Sequence, residues 1–443
     1  MAIWWIGEPV PLGATSLLPL VLFPLLGVAS SKDAAAPYAN ELVFLFLAGF
    51  LLAAALERWN AHSRIAYAIV GAIGGSGRRV ALGVMLATGF VSMWISNTAT
   101  AAMMYPIALA IGALFGSGRA ADEGRTALML GVAYAASIGG IGTLIGTPPN
   151  LIFAASAKQL AGREVSFTDY MLIGVPIVTV LLPLCWFLLV FVLFRTRVDL
   201  GPDARRVLKE RRQNLGPLRG GEARTVAVFA LTVAGWLLRE RKELGTIAIP
   251  GLTDLAPGLS DASVGLAGAL LLFVVPDGSP PPSSRPLLTW REAKEIPWEV
   301  LLLFGGGLSL AAAMESSGLA RWMGGRMSGL AGYPSIVVYA GLAAVVLVLS
   351  ELASNTAVAA MAMPIAASLA PAVGEPALAL MLIGALAAST GFALPVATPP
   401  NAIVFGSGQV TVRQMARAGI LLDVVAIVVI VAAVAILFPL VLG

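Results

Sequence analysis

The chain of 443 residues contains one cysteine, Cys185, and one histidine, His62, and only 12% of its residues are Asp, Glu, Lys or Arg. A single cysteine builds no intrachain disulfide framework, and one Cys with one His builds no Cys/His metal cluster. A Ser-His or Cys-His nucleophile relay is excluded by the same count. No GxxxxGK[ST] segment occurs, which removes a P-loop nucleotide engine. Met1 to Ile6 has neither a basic n-region nor a small-residue cleavage site, so no cleaved leader is expected.

What fills the space is apolar. Hydrophobic residues make up 58% of the chain, and the mean hydropathy is +0.89. Uncharged runs such as Tyr170 to Phe194 and Val424 to Gly443 suffice to cross about 30 Å of hydrocarbon as helices. The expected class is an all-α polytopic membrane protein whose first partner is the lipid bilayer, and a soluble enzyme is excluded. Candidate spans are 15–29, 41–57, 126–156, 170–194, 225–239, 262–276, 298–315, 376–406 and 419–442. Two more apolar regions, 80–115 and 334–373, are each interrupted by a Ser-Asn-Thr cluster and read as re-entrant helical hairpins.

The net charge of +4 has one source. From Arg195 to Arg224 there are nine Lys or Arg against four acids. A basic loop beside a span marks the cytoplasmic side, so this loop and the one carrying Arg58, Arg64, Arg78 and Arg79 are expected inside the cell. That topological reading displaces a nucleic-acid or phosphate site, and no nucleic-acid partner is expected.

An internal repeat carries the most information. SNTATAAMMYPIA (96–108) recurs as SNTAVAAMAMPIA (354–366), identical at ten of thirteen positions with an offset of 258. The same offset aligns LFLAGFLLAAALE (45–57) with LFGGGLSLAAAME (303–315). GTPPNLIF (146–153) recurs as ATPPNAIV (397–404) at an offset of 251. Four crossings separate the equivalent spans 41–57 and 298–315, so the copies are expected to run antiparallel, as inverted-topology repeats with a site near the midplane on broken helices. The expected organisation is a first repeat over 13–194 (hairpin 80–115, broken helix 126–156), a basic cytoplasmic linker over 195–224, and a second repeat over 225–443 (hairpin 334–373, broken helix 376–406). The helix before the second repeat, 225–239, has no counterpart in the first.

Each Ser-Asn-Thr cluster precedes a helical apolar run, which predicts Asn or Thr as an N-cap and an anion site of free N–H groups at the hairpin tip. The tandem prolines predict unpaired carbonyls four residues earlier, at Leu144, Ile145 and around Val396, which as hard oxygen ligands suit a small cation such as Na⁺. Glu57 and Glu315 read as snorkelling or capping residues, and Glu351 as either a structurally paired acid or a protonatable group at membrane depth. His62 reads as solvated, Cys185 as core packing, and Trp4, Trp5, Trp290 and Trp298 as interfacial anchors.

The paired SNT clusters, GTPPN, ATPPN and the run ASTGFALPVATPPNAIV (388–404) resemble the divalent anion:sodium symporter family, which contains bacterial and animal dicarboxylate and citrate transporters. ERWNAHSRIA (57–66) and PWEVLLLFGGGLSLA (297–311) are also similar to family segments, and the resemblance covers nearly the whole chain. It implies a homodimeric elevator-type secondary transporter of the cell's inner membrane that couples Na⁺ entry to uptake of C4-dicarboxylates such as succinate, malate or fumarate, with no organic cofactor and no enzymatic activity. It further implies substrate contacts at Ser96, Asn97, Thr98, Thr147, Pro148, Ser354, Asn355, Thr356, Thr398 and Pro399. One sodium would use Ser92, Ser96, Asn97 and Gly146, and a second Ser350, Ala353, Asn355 and Ala397. The family pattern begins upstream of the WWI segment, so the resemblance implies N-terminal helices beyond those present here. An obligate exchanger, or a carrier of sulfate or another oxyanion, is the alternative on the same fold. A channel is disfavoured because the polar residues cluster at two tips instead of lining a path.

Overall fold

The computed structural model describes residues 1–73, 76–196, 213, 216–218, 220–244, 247–326, 329 and 332–443. Most of the basic segment expected to fix topology, including Arg197, Arg205, Arg206, Lys209, Arg211, Arg212 and Arg219, lies outside them.

The principal helices are α1 (Glu41–Arg58), α2 (Ala61–Ile73), α3 (Gly77–Ser92), α4 (Asn97–Ala113), α5 (Arg119–Gly140), α6 (Pro148–Ala161), α7 (Phe167–Phe187), α8 (Gly220–Leu237), α9 (Asp261–Val274), α10 (Trp298–Ser316), α11 (Leu319–Arg326), α12 (Ser335–Leu352), α13 (Asn355–Val373), α14 (Ala377–Ala388), α15 (Pro399–Gly406) and α16 (Val412–Val441). Among the described residues the only strands are a short antiparallel pair, Lys242–Leu244 with Ile247–Ile249. Six helical stretches among the described residues are long and apolar enough to cross a membrane: Ser31–Arg58, Phe167–Leu193, Trp298–Ser316, Ser335–Leu352, Asn355–Val373 and Val412–Val441. On α16 the side chains of Ile420, Val424, Val428, Ile436 and Leu440 are all exposed while Met415, Ala426 and Ile430 are buried, so among the described residues one face of an almost uncharged helix is left uncovered. A stripe of that kind suits lipid and not water.

The expected span 15–29 is broken instead into Leu12–Thr15 and Leu18–Leu25, followed by Ser31–Ala35. Prolines at 11, 19 and 24 and a left-handed Gly27 punctuate this stretch. Trp5, read as an interfacial anchor, is fully buried, its Nε1 donating to Ser16 Oγ at 3.2 Å. His62, read as solvated, is also buried, with Nδ1 3.0 Å from the Leu56 carbonyl. Both side chains lie where a polar atom meets a partner inside the protein, which burial requires. Cys185 is buried, as core packing demands.

Two helices are apolar all round and buried all round, α5 from Thr126 to its end and α14 from Leu378 to its end. The same packing occurs about each. α3 and α4 lie on α5, as α12 and α13 lie on α14. The halves then interlock, because α6 packs on α13 and α14 while α15 packs on α4 and α5. α8 and α9 pack together and on α1.

The end of α1 is tied down by Arg58, whose Nη1 donates to Glu292 Oε2 (2.7 Å), Leu287 O (3.0 Å) and Pro286 O (3.3 Å). Arg58→Ala removes the cation from a half-buried corner and the side-chain donor from Pro286 O, while Glu292 Oε2 keeps Thr289 N and Oγ1 and Leu287 O keeps Trp59 Nε1. It is expected to lower stability by about 1–2 kcal/mol and the thermal midpoint in detergent by about 2–4 °C. Glu292→Gln, which leaves the carbonyl contacts intact, is expected to cost less.

Candidate functional site

The Ser-Asn-Thr clusters sit where two helices meet tip to tail. α3 ends at Ser92 and α4 begins at Asn97; α12 ends at Leu352 and α13 begins at Asn355. The N-cap in both cases is serine, not the expected Asn or Thr. Ser96 has an extended backbone, and its Oγ accepts from Ala99 N at 3.2 Å. Ser354 is the N-cap of α13 but makes no side-chain cap bond, so more of that helix's first N–H groups stay free. Asparagine cannot cap here because its side chain is engaged elsewhere.

That engagement forms the centre of each site. Ser92 Oγ lies 2.7 Å from Asn97 Oδ1 and 2.7 Å from the Ala136 carbonyl of α5. Ser350 Oγ lies 2.7 Å from Asn355 Oδ1 and 2.6 Å from the Ala388 carbonyl of α14. Both serines are fully buried. Asn97 and Asn355 are half-buried. In each cluster three oxygens converge on one hydroxyl hydrogen, which can be donated to only one of the other two.

The proline segments open new helices instead of interrupting existing ones. Pro148 and Pro149, like Pro399 and Pro400, occupy the first turn of new helices, where a missing N–H has no intrahelical partner to lose. Leu144, Ile145 and Val396 lie in the connecting turns, not in helices stripped of donors. The asparagine after the prolines organises the break instead. Asn150 Nδ2 donates to Gly140 O (2.8 Å) and Thr143 O (2.7 Å), and Asn401 Nδ2 to Leu394 O (2.9 Å) and, at 3.4 Å, Gly391 O. Both asparagines are fully buried, and the Oδ1 of each has no hydrogen-bond partner. Each break therefore holds one buried side-chain acceptor without a donor.

The other sequence-derived positions fall around this framework. Thr147 and Thr398 are buried N-caps, Thr398 Oγ1 accepting from Asn401 N at 3.2 Å. Pro148 and Thr356 are half-buried, and Thr98 and Pro399 are exposed. Gly146 abuts the Gly140 carbonyl, since a Cβ there would come within 2.4 Å of it. Ala353 is the extended residue between α12 and α13, and Ala397 packs beside Gly391. Glu57 and Glu315 are exposed at the ends of α1 and α10.

Sequence reasoning missed three participants. The Ala136 and Ala388 carbonyls have no signature, because any residue carries a carbonyl. Asp423 did have one, an acid within the otherwise apolar α16, and an ionisable residue at membrane depth is a site indication in itself. It is buried and sits with Glu351 against the loop 392–394.

The chain matches the model of the sodium:sulfate symporter transmembrane region over residues 1–442. It is 40% identical over 450 aligned positions, covering 100% of this chain and 85% of the relative, to sodium-dependent dicarboxylate transporters SdcS of Staphylococcus aureus strains MW2 and COL. Two solved structures share the fold. The Alcanivorax borkumensis YdaH transporter superposes with a TM-score of 0.61 at 14% identity, covering 99% of this chain and 98% of that one. Neisseria gonorrhoeae MtrF, from a class of antimetabolite efflux pumps, gives 0.59 at 10% identity, covering 98% and 96%. Helices fit to cross a membrane, a buried polar centre on interrupted helices and a family match over the whole length lead to one assignment: the chain belongs to the sodium:sulfate symporter transmembrane family, a family of transporters and not of enzymes.

Proposed function

We propose that this protein carries C4-dicarboxylates such as succinate, malate or fumarate across the cell's inner membrane, coupled to sodium entry. The twin three-oxygen clusters carry the reading. An oxygen-rich, donor-poor centre in a membrane interior lacks the water that would otherwise complete it, and a small hard cation completes it instead. The first sodium is assigned to Ser92, Ser96, Asn97 and Gly146, joined by the Ala136 carbonyl. The second is assigned to Ser350, Ala353, Asn355 and Ala397, joined by the Ala388 carbonyl. A hydroxyl at both 92 and 350 supports cation coupling over a cation-independent exchanger.

The anion is assigned to the adjoining helix starts. Ser96, Asn97 and Thr98 open α4, and Ser354, Asn355 and Thr356 open α13, so each presents N–H groups and the positive end of a helix dipole without a Lys or Arg. Thr147, Pro148, Thr398 and Pro399 shape the surrounding wall. Sodium binding draws α3, α4 and α5, and likewise α12, α13 and α14, onto common ligands. The ions also offset the two carboxylate charges, so binding of sodium before the anion is the favoured order. The duplicated motifs support inverted repeats over 13–194 and 225–443. The interlock of α3–α6 with α12–α15 supports one body that moves as a unit in an elevator cycle within a homodimer.

Radiolabelled succinate uptake into proteoliposomes tests this. An inward Na⁺ gradient is expected to drive accumulation, and K⁺ is not. Uptake that ignores Na⁺ but requires internal succinate would make the protein an exchanger. Sodium-driven sulfate uptake without succinate uptake would move the assignment to an inorganic oxyanion.

A further inference from the structure

The two oxygen clusters are built from repeated residues, yet the backbone behind them differs. In the first half the carbonyl at the asparagine amide, Gly140, lies four positions after the carbonyl at the serine, Ala136; in the second, Gly391 lies only three positions after Ala388. α5 runs on to Gly140, and the amides after it stay in helical turns, Ile141 N donating to Ile138 O (3.1 Å) and Gly142 N to Gly139 O (2.9 Å). α14 stops at Ala388, and although Ser389 N and Thr390 N still turn back onto Leu386 O (3.1 Å) and Ala387 O (3.2 Å), the chain from Gly391 to Leu394, one residue nearer to the helix than in the first half, makes no such turns. Three consecutive amides then need acceptors elsewhere, and a buried N–H left without one is costly.

Two acids supply them. Ala393 N donates to Glu351 Oε1 (2.8 Å), Leu394 N to Glu351 Oε2 (2.8 Å) and Phe392 N to Asp423 Oδ1 (3.2 Å). The two acids thus take three consecutive amides of one loop between them. Glu351 follows Ser350 on α12. Asp423 lies one helical turn beyond Gly419 on α16, where a Cβ would come within 2.3 Å of the Phe392 carbonyl. α7 matches α16 in both features that set this approach. Capping boxes open them at Ser166–Asp169 and Thr411–Gln414, and a Cβ at Gly174 would come within 2.6 Å of the Ile141 carbonyl. At that offset of 245 the counterpart of Asp423 is Val178, and at the offset of 258 the counterpart of Glu351 is Met93. The acids are present only in the half whose loop is short.

We propose that Glu351 and Asp423 are positioning residues that hold the shortened loop in place, so that the Ala388 carbonyl stands against Ser350 and Asn355 and completes the second cation cluster. This rests on the reading of that cluster as a sodium site. Their role is hydrogen-bond acceptance by side-chain oxygen, and the sodium ion itself is left to Ser350, Asn355 and the backbone.

The test is the sodium dependence of succinate uptake by proteoliposomes of the full chain and of the variants Glu351→Gln, Asp423→Val, Asp423→Asn and Ser350→Ala. Glu351→Gln loses one of two acceptors and Asp423→Val its only one, so each is expected to raise the Na⁺ concentration for half-maximal uptake about tenfold, as for one buried hydrogen bond. The succinate KM at saturating Na⁺ is expected to stay put. Asp423→Asn keeps an oxygen for Phe392 N, so it is expected to stay within about threefold of the parent. If Asp423→Asn is as impaired as Asp423→Val, the acids act through charge and the positioning role is wrong. If Glu351→Gln and Asp423→Val leave the sodium curve unmoved while Ser350→Ala shifts it, the cation site stands and the positioning role falls. If Ser350→Ala leaves the curve unmoved, the cation site itself is misassigned and the proposal falls with it. Should Asp423→Val not reach the membrane, Glu351→Gln and Asp423→Asn carry the comparison.

Discussion

Asn97→Ala and Asn355→Ala are each expected to reduce sodium-driven succinate uptake at least about a hundredfold, the loss of a hydrogen bond or ligand to a charged group in a buried site. Each asparagine performs two tasks at once. Its amide oxygen meets the buried serine hydroxyl and, in the proposed cycle, the cation; its backbone N–H opens the helix that faces the anion. Alanine retains the helix start, in which the side chain plays no capping part, so membrane abundance is expected to hold. Uptake per protein measured at low and at saturating Na⁺ checks this. Near-parental uptake in both variants would remove the site assignment.

Gly140→Ala is expected to disturb the first cluster by a different route. A Cβ at this position would come within 2.3 Å of Asn97 Oδ1 and 2.9 Å of its Nδ2. The amide must then leave Ser92, and the first cluster opens while the second remains built. The expected result is a rise in the Na⁺ requirement of roughly tenfold or more, from the loss of a charge-bearing contact, with protein still inserted. Gly139→Ala is the contrasting control. Its Cβ would come within 2.2 Å of the Gly89 carbonyl, a backbone atom that cannot turn aside, so α3 and α5 must separate. That variant is expected to be lost from the membrane or to unfold in detergent, as followed by size-exclusion chromatography. Equal behaviour of the two alanines would show that Gly140 serves helix packing alone.

The helix boundaries around the hairpins were legible because apolar runs and their polar interruptions are local features. The breaks 93–96 and 353–354 fall on the Ser-Asn-Thr clusters, and 141–147 and 389–398 fall before the prolines. Local chemistry at those breaks was less legible. A tandem proline interrupts a helix or begins one with the same residues, and only the backbone path before Pro148 and Pro399 distinguishes the two. Asparagine was read as a cap because it caps well in isolation, and the partner that diverts it, Ser92 or Ser350, lies across a turn.

By itself the sequence determined that the protein is a helical membrane protein, that its polar residues gather at four duplicated interruptions, and which side chains those are. These properties follow from composition, run length and repetition, which belong to the chain before it folds. Tertiary structure alone decided which oxygens face one another. The carbonyls of Ala136 and Ala388 join the serines because buried helices pass behind them. The acids 351 and 423, 72 positions apart, meet because a loop one residue shorter leaves three amides that must be satisfied inside the membrane. A backbone carbonyl has no residue identity, and a missing residue shows its consequence only where the chain has to close, so neither is written in any local pattern.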